Sequence, residues 1–150
     1  MPAAATRSRR HGAGLLARRL ALLALFEGEF RPGSASGALA RLAVERDVPD
    51  EVLAHAATIV EGVSSNVAEL DARIAAEAPL IPVAELGRVE RTILRSALYE
   101  VLYSAATPSG DTMRDAVSLA RIYAGDAARR LVNGVLGSVS RSGGGAHSSD

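Results

Sequence analysis

Arginine side chains near the N-terminus are the first residues whose type and spacing suggest chemistry. No Asp or Glu precedes Glu27, whereas the same segment holds Arg7, Arg9, Arg10, Arg18 and Arg19. Cations without acidic neighbours suit phosphate binding, because neutralising phosphates releases the counterions condensed on a nucleic acid. This charge segregation indicates a basic arm on a neutral body, and RNA binding by the five arginines, with His11 beside the first cluster, is one hypothesis for its role. A solubilising segment is the alternative, and a codon bias would also explain why all 17 cations are Arg.

A second basic pair, Arg129 and Arg130, follows Asp126 at the start of the last predicted helix. Cations in the first turn of a helix oppose its dipole. A bound phosphate would offset this cost, because helix N-termini attract anions. We therefore predict that Arg129 and Arg130 also bind RNA. The alternative is that Asp126 lies within reach and compensates both charges.

The residue types needed for catalysis or metal binding are scarce. There is no Cys, two of the three histidines lie near the chain ends, and His55 is solitary. The sequence lacks the His-Glu-x-x-His spacing, a Gly-rich phosphate loop and a Gly-x-Ser-x-Gly motif. We predict a protein that is not an enzyme, with no cofactor, catalytic residue or metal site. It also lacks a signal peptide and a run of about 20 apolar residues, so a cytoplasmic protein without membrane contact is expected.

The composition favours an all-α fold with an aliphatic core. Hydrophobic residues make up 48% of the 150 residues, with only 2 Phe, 3 Tyr and no Trp. Ala, Leu and Arg are good helix formers. We predict about seven helices and three segments: a flexible basic arm at 1–13, a folded domain at 14–141, to which the resemblance described below assigns RNA and partner binding, and a disordered Gly/Ser tail at 142–150.

Apolar spacing and turn residues predict where the helices lie. The expected ranges are about 14–30, 35–46, 50–74, a short lead-in at 81–87, 85 to near 107, 112–124, and 126 to about 141. Arg18 and Arg19 are expected on the polar side of the first helix. Thr112 and Asp115 approximate a capping box, and Gly125 is expected to end the sixth helix before Asp126 starts the next.

The segment 85–102 has the clearest amphipathic pattern. Its apolar stripe comprises Val89, Ile93, Ala97 and Val101, widened by leucines. Glu90 and Arg91 fall on the polar side, as expected for a solvated face or for a partner surface. Arg91 and Arg95 are like charges one turn apart and should repel, so a partner carboxylate or phosphate would relieve them.

Several segments, in their order along the chain, resemble the NusB family of bacterial transcription antitermination factors. They are Ala-Arg-Arg-Leu-Ala-Leu-Leu-Ala-Leu-Phe at 17–26, Gly62-Val63 with Leu70-Asp71, Val-Glu-Arg-Thr-Ile-Leu-Arg-Ser-Ala-Leu-Tyr-Glu at 89–100, Asp-Ala-Val-Ser-Leu-Ala at 115–120, and Leu-Val-Asn-Gly-Val-Leu at 131–136. The resemblance covers about residues 14–140. It implies two small helical bundles packed together.

The resemblance also implies a function. The family binds boxA-type RNA jointly with NusE, a ribosomal protein of the small subunit. That complex joins RNA polymerase and supports antitermination, especially on ribosomal RNA operons. The position matching Glu90 lies on the family's NusE surface, so Glu90 and Arg91 are predicted to bind this partner. The aromatic matching Phe26 lies near the RNA and partner surface, although Phe26 also fits a core position.

Some residues depart from the family pattern. Leu131 replaces a usual Phe, Ile81 stands where many members have Trp, and Arg114 occupies a common Asn position. These departures leave a second hypothesis open, in which the chain is a NusB-like protein-interaction or homodimerisation module without RNA binding. Salt dependence separates the two, because only phosphate neutralisation gives a steep fall of affinity with salt.

Overall fold

The fold was taken from a computed structural model, which describes residues 2–31, 34–104 and 109–148, and the side chains of 12–31, 34–104 and 110–142. Over these ranges the chain forms seven α-helices, one short 3₁₀ turn and no strand, as predicted. The helices are α1 (Pro2–Phe30), α2 (Ala35–Glu45), α3 (Asp50–Ser65), α4 (Val67–Glu77), α5 (Arg88–Tyr103), α6 (Ser109–Ala124) and α7 (Asp126–Ser148). The 3₁₀ turn is Val83–Glu85. Within the described part of the chain, none of the helices combines the length and apolarity needed to cross a membrane.

The first of two compact units extends to Ser65 and contains α1, α2 and α3. Helix α1 packs against both other helices, and α2 contacts α3. Leu20, Leu39 and Ile59 are buried representatives of the three helices. Gly28 allows α1 and α2 to approach closely, because a Cβ added there would lie 2.9 Å from Cβ of Ala35.

The second unit starts at Asn66 and contains α4 to α7. Helix α5 contacts the other three helices, and α7 also packs on α4 and α6. The buried side chains are almost entirely aliphatic, as the composition predicts: Leu70, Ile74, Ile93, Leu94, Leu98, Leu119, Val132, Leu136 and Val139.

The predicted ends of the first and last helices were wrong. Helix α1 begins at Pro2, far ahead of the predicted start at Gly14. Pro is well accommodated at the first helical position, and Ala3, Ala4 and Ala5 have the highest helix propensity. Helix α7 continues to Ser148 instead of ending near 141. Whether residues 1–13 and 142–150 move as an arm and a tail stays a prediction.

Two further boundary predictions were wrong. The long helix expected over 50–74 is divided at Asn66, whose backbone leaves the helical region while its carbonyl accepts the amide hydrogen of Leu70. Ser and Asn favour such helix ends because their side chains compete for backbone hydrogen bonds. Thr112 and Asp115 do not form a capping box, since α6 already starts at Ser109 and carries Asp111 in its first turn. Both residues are instead buried inside the helix.

Candidate nucleic-acid and partner-binding residues

A one-residue turn at Gly125 joins α6 to α7 and positions Arg129 and Arg130. Gly125 has φ +91°, a left-handed conformation that favours glycine. Its N–H donates to the carbonyl of Arg121 at 3.1 Å, and its own carbonyl accepts from the N–H of Arg129 at 3.0 Å. The predicted helix stop at Gly125 is thereby confirmed, and both arginines lie in the early turns of α7.

Asp126 is the acidic residue that both of these arginines approach. Arg129 Nε lies 3.2 Å from Oδ1, and Arg130 Nη1 lies 3.9 Å from Oδ2. The compensation by Asp126 that the sequence left as an alternative is therefore present. Surface ion pairs of this kind are weak and exchange readily with solvent or ligand. Residues 121–130 hold three arginines and one aspartate, which leaves two net positive charges on the turn.

Helix α1 presents its arginines differently from the prediction. Arg18 is buried, with only 8% of its surface exposed, so its placement on the polar side was wrong. The reason is that α1 packs against both α2 and α3, which cover much of its circumference. Arg19 is half-buried, and its Nε is buried with no hydrogen-bond partner among the described residues. Arg7, Arg9, Arg10 and His11 belong to the helical backbone, but their side chains lie outside the described part.

Helix α5 carries the predicted partner-binding residues in its first turns. Gly87 is the N-cap, and the Glu90 carboxylate folds over it: a Cβ added at Gly87 would meet Oε2 at 2.5 Å. A negative charge at this position is favourable because it faces the positive end of the helix dipole. Glu90 and Arg91 are both half-buried, so this side of α5 is less exposed than a fully solvated helix face would be.

Arg95, on the same helix, forms an ion pair that the sequence did not assign. Its Nε donates to Oδ1 of Asp71 at 2.7 Å and its Nη2 to Oδ2 at 2.8 Å. The carboxylate that Arg91 and Arg95 were expected to need is thus supplied to Arg95 from within the chain, by α4. The Leu70-Asp71 pair was recognised only as part of the family pattern, and no spacing rule connects residues 24 positions apart.

Glu77 is a second acidic residue whose role was missed. Its carboxylate accepts hydrogen bonds from the hydroxyls of Ser138 at 2.6 Å and Ser142 at 3.4 Å, and from Arg73 Nε at 3.2 Å. The Ser138 bond, helped by those of Arg73 and Ser142, lowers the pKa of Glu77 against the opposing effect of burial. This cluster fastens α7 to the end of α4.

Phe26 is half-buried on α1, which fits both expectations given for it. Its ring meets that of Phe30 edge-on, with centroids 5.3 Å apart and an interplanar angle of 70°. Within the described residues, no group of three or more His, Asp or Glu side chains is placed to hold a metal ion.

Comparison with known proteins shows that this chain is similar to one family. The family model described as the NusB family matches residues 15–141. The transcription antitermination protein NusB of Dehalococcoides mccartyi strain CBDB1 is 31% identical over 125 residues, covering 83% of this chain and 87% of that protein. The protein of the same name from Desulforudis audaxviator is 34% identical over 122 residues, covering 81% and 88%.

A solved structure is also similar along most of its length. A crystal structure of the antitermination factors NusB and NusE in complex with double-stranded RNA matches with a TM-score of 0.78 and 25% identity. The match covers 89% of this chain and 98% of that one.

Proposed function

Because this chain belongs to the NusB family, we propose that it is a transcription antitermination factor that binds boxA-type RNA together with NusE. The bound complex supports elongation by RNA polymerase through ribosomal RNA operons. This role also implies a cytoplasmic location. The observation that carries the proposal is the match of 127 residues, 15–141, to the family.

The solved complex supports the choice of partners. In it, a NusB protein with which this chain shares 25% identity and a TM-score of 0.78 is bound to NusE and RNA. The match covers 98% of that chain, which supports proposing the same two partners for this one. RNA binding can begin with phosphate contacts, and these need only accessible cations.

The α6–α7 turn offers such cations. Arg130 is exposed over 65% of its side chain, and Arg129 over 36%. Asp126 is their competitor for phosphate, because it approaches both guanidinium groups. An RNA phosphate that displaced Asp126 would accept charge-assisted hydrogen bonds from the same guanidinium groups. Both arginines thus form only weak, exposed ion pairs, which a phosphate can replace.

The proposal is tested by measuring the affinity of a boxA-type RNA at several salt concentrations, with and without NusE. We expect tighter binding with NusE and a steep salt dependence. Arg130→Ala should weaken binding and reduce the slope of log K against log salt by about 0.7, the value for one phosphate contact on a single strand. Arg46→Ala is the matched control, because Arg46 is also exposed but lies on no predicted site. Its slope should equal that of the wild type.

Asp126→Asn gives a test in the opposite direction. Removing the competing carboxylate raises the net charge of the turn from two to three and frees both arginines, so RNA should bind more tightly. A parallel series with Arg18→Ala/Arg19→Ala and Arg7→Ala/Arg9→Ala/Arg10→Ala measures what helix α1 contributes. Absence of RNA binding under all conditions, combined with a salt-tolerant dimer, would favour the protein-interaction module instead.

A further inference from the structure

The aromatic side chains of this protein are few, and most are engaged with one another. The whole chain has 2 Phe, 3 Tyr and no Trp, and all five aromatic residues lie in the described part. Phe26 pairs with Phe30 edge-on, and Tyr99 stacks on Tyr103 with centroids 5.5 Å apart and an interplanar angle of 18°. The hydroxyl of Tyr103 also donates to Glu69 at 2.5 Å. Four of the five rings therefore have partners within the chain.

Tyr123 is the exception among the described aromatic residues. It lies near the C-terminal end of α6, with 39% of its surface exposed, and no ring contact or hydrogen bond to its hydroxyl is found in the described part of the chain. Its neighbour Ile122 is 52% exposed. Isolated exposed apolar residues are ordinary on protein surfaces, so the exposure alone indicates little. The charges around Tyr123 are what distinguish it from such residues.

Tyr123 precedes the Gly125 turn by two residues, and Arg129 follows that turn by one helical turn. The hydrogen bonds on both sides of Gly125 fix this arrangement. Two residues span at most about 7 Å and one helical turn rises about 6 Å, so the Cα atoms of Tyr123 and Arg129 lie within about 13 Å. Side chains of Tyr and Arg can bridge that distance to a common ligand. The exposed ring and the net positive turn are therefore close enough along the chain to contact one bound strand.

Nucleic-acid-binding proteins combine aromatic rings with nearby cations. Single-stranded nucleic acids are bound by basic surfaces that follow the phosphates together with aromatic rings on which bases stack. Sequence-specific RNA recognition also relies on unstacked bases that meet aromatic side chains. A protein partner would need a larger apolar patch than Tyr123 and Ile122 provide. The combination at this turn thus fits RNA better than it fits a protein.

We propose that Tyr123 stacks on a base of the bound RNA while Arg129 and Arg130 bind the neighbouring phosphates. This inference rests on the proposed function and adds a base contact to it. Tyr123 supplies affinity that does not depend on salt, because stacking neutralises no phosphate. The arginines supply the part that salt removes. The two contributions can therefore be separated by experiment.

The test compares RNA affinities of full-length variants at several salt concentrations. Tyr123→Leu should weaken binding about 5- to 150-fold, the range for the loss of one stacked base, with an unchanged salt slope. Tyr123→Phe should restore binding to within about twofold, because the ring is kept and stacking on bases tolerates either aromatic. Tyr103→Leu is the matched control, since this tyrosine is also partly exposed but its ring and hydroxyl have partners within the chain. Its RNA affinity should equal that of the wild type.

Tyrosine fluorescence gives a second readout that a purely structural role would not move. The chain has no Trp, so Tyr99→Phe/Tyr103→Phe leaves Tyr123 as its sole fluorophore. Stacking on a base should quench this signal when RNA is added, and a distant ring would keep its emission.

Several outcomes would overturn the inference. Wild-type affinity in Tyr123→Leu would exclude a base contact, and equal losses in Tyr123→Leu and Tyr123→Phe would indicate a hydroxyl contact instead. Weakened NusE binding with unchanged binding of RNA alone would assign Tyr123 to a protein contact. If the wild type bound no RNA, the proposed function would fail together with this inference. Unchanged thermal melting of the variants excludes misfolding, as expected for an exposed side chain.

Discussion

The ion pair between Arg95 and Asp71 gives the most specific prediction about stability. It joins α4 to α5 through two parallel hydrogen bonds of 2.7 and 2.8 Å. The side chains are only 15% and 28% exposed, so solvent and salt screen the pair incompletely. Asp71→Ala removes the carboxylate and leaves the Arg95 guanidinium partly buried, with Arg91 one turn away on the same helix.

The expected loss in the free energy of unfolding lies between two limits. Exposed ion pairs contribute about 0–1 kcal/mol, whereas removing one member of a fully buried pair costs about 3–5 kcal/mol. For this partly buried, two-bond pair we expect Asp71→Ala to cost about 1.5–3 kcal/mol, in the range of charge-assisted hydrogen bonds. In a chain of this size, such a loss lowers the melting temperature by roughly 4–10 °C.

A double-mutant cycle isolates the interaction. Free energies of unfolding from urea titrations of the wild type, Asp71→Ala, Arg95→Ala and the double variant give the coupling energy. The matched control is the cycle on Glu27 and Arg41, which also pair through two hydrogen bonds but are 37% and 50% exposed. The coupling between Glu27 and Arg41 should be clearly smaller. Equal couplings in the two cycles would show that burial does not strengthen the Arg95–Asp71 pair, and would refute this reasoning.

Three further substitutions test local features by thermal or urea unfolding. Gly28→Ala should destabilise the protein by about 1–3 kcal/mol, because the new Cβ would lie 2.9 Å from Cβ of Ala35; Gly37→Ala, with nothing within 4 Å, should instead be neutral or stabilising. Gly125→Ala should cost on the order of 1–3 kcal/mol, since φ +91° strains any residue with a side chain; a cost no larger than that of Gly37→Ala would argue against a strained turn. The pKa of Glu77 is lowered in the folded state, so the stability it contributes is present above its unfolded pKa of about 4.3 and is lost as pH falls through the folded value. Glu77→Gln should therefore flatten the acid side of the stability profile, and a profile as steep as that of the wild type would contradict the assignment.

Amphipathic periodicity was a sound guide to the presence of helices and a poor guide to their ends. The strong stripe over 85–102 corresponds to α5, and the all-α prediction is confirmed. Apolar periodicity does not reveal the break at Asn66, because the spacing from Val60 and Val63 to Val67 and Leu70 continues through it unchanged. Helix boundaries depend on local capping and backbone competition, which leave the spacing of apolar residues intact.

The family assignment succeeded for a different reason. It rested on the order of several short segments, and the match over residues 15–141 confirms it, together with the prediction that the protein is not an enzyme. Exposure could not be inferred in the same way. Arg18 looked polar-facing on an isolated helix, but it is buried. The burial of Arg18 results from the packing of α2 and α3 against α1. The residue pattern of a single helix contains no information about its neighbours.

The polar residues of α4 show what tertiary contacts add. Glu69, Asp71 and Glu77 bind Tyr103, Arg95 and Ser138, which lie 34, 24 and 61 positions further along the chain. Sequence spacing had suggested that an external carboxylate or phosphate would relieve the repulsion at Arg95. Asp71 is the carboxylate that pairs with Arg95, so no carboxylate or phosphate from another molecule is required there.

This assignment narrows the surface of α5 on which a NusE contact is expected. The Glu90 carboxylate is held at the first turn, over Gly87, and makes no such ion pair within the described residues. Glu90→Ala should therefore weaken NusE binding without a matching loss of stability, whereas Arg95→Ala should lower stability first. Isothermal titration with NusE, read beside the unfolding curves of both variants, distinguishes the two effects. A loss of NusE affinity in Arg95→Ala at full stability would place the partner surface further along α5 than the ion pair with Asp71 allows.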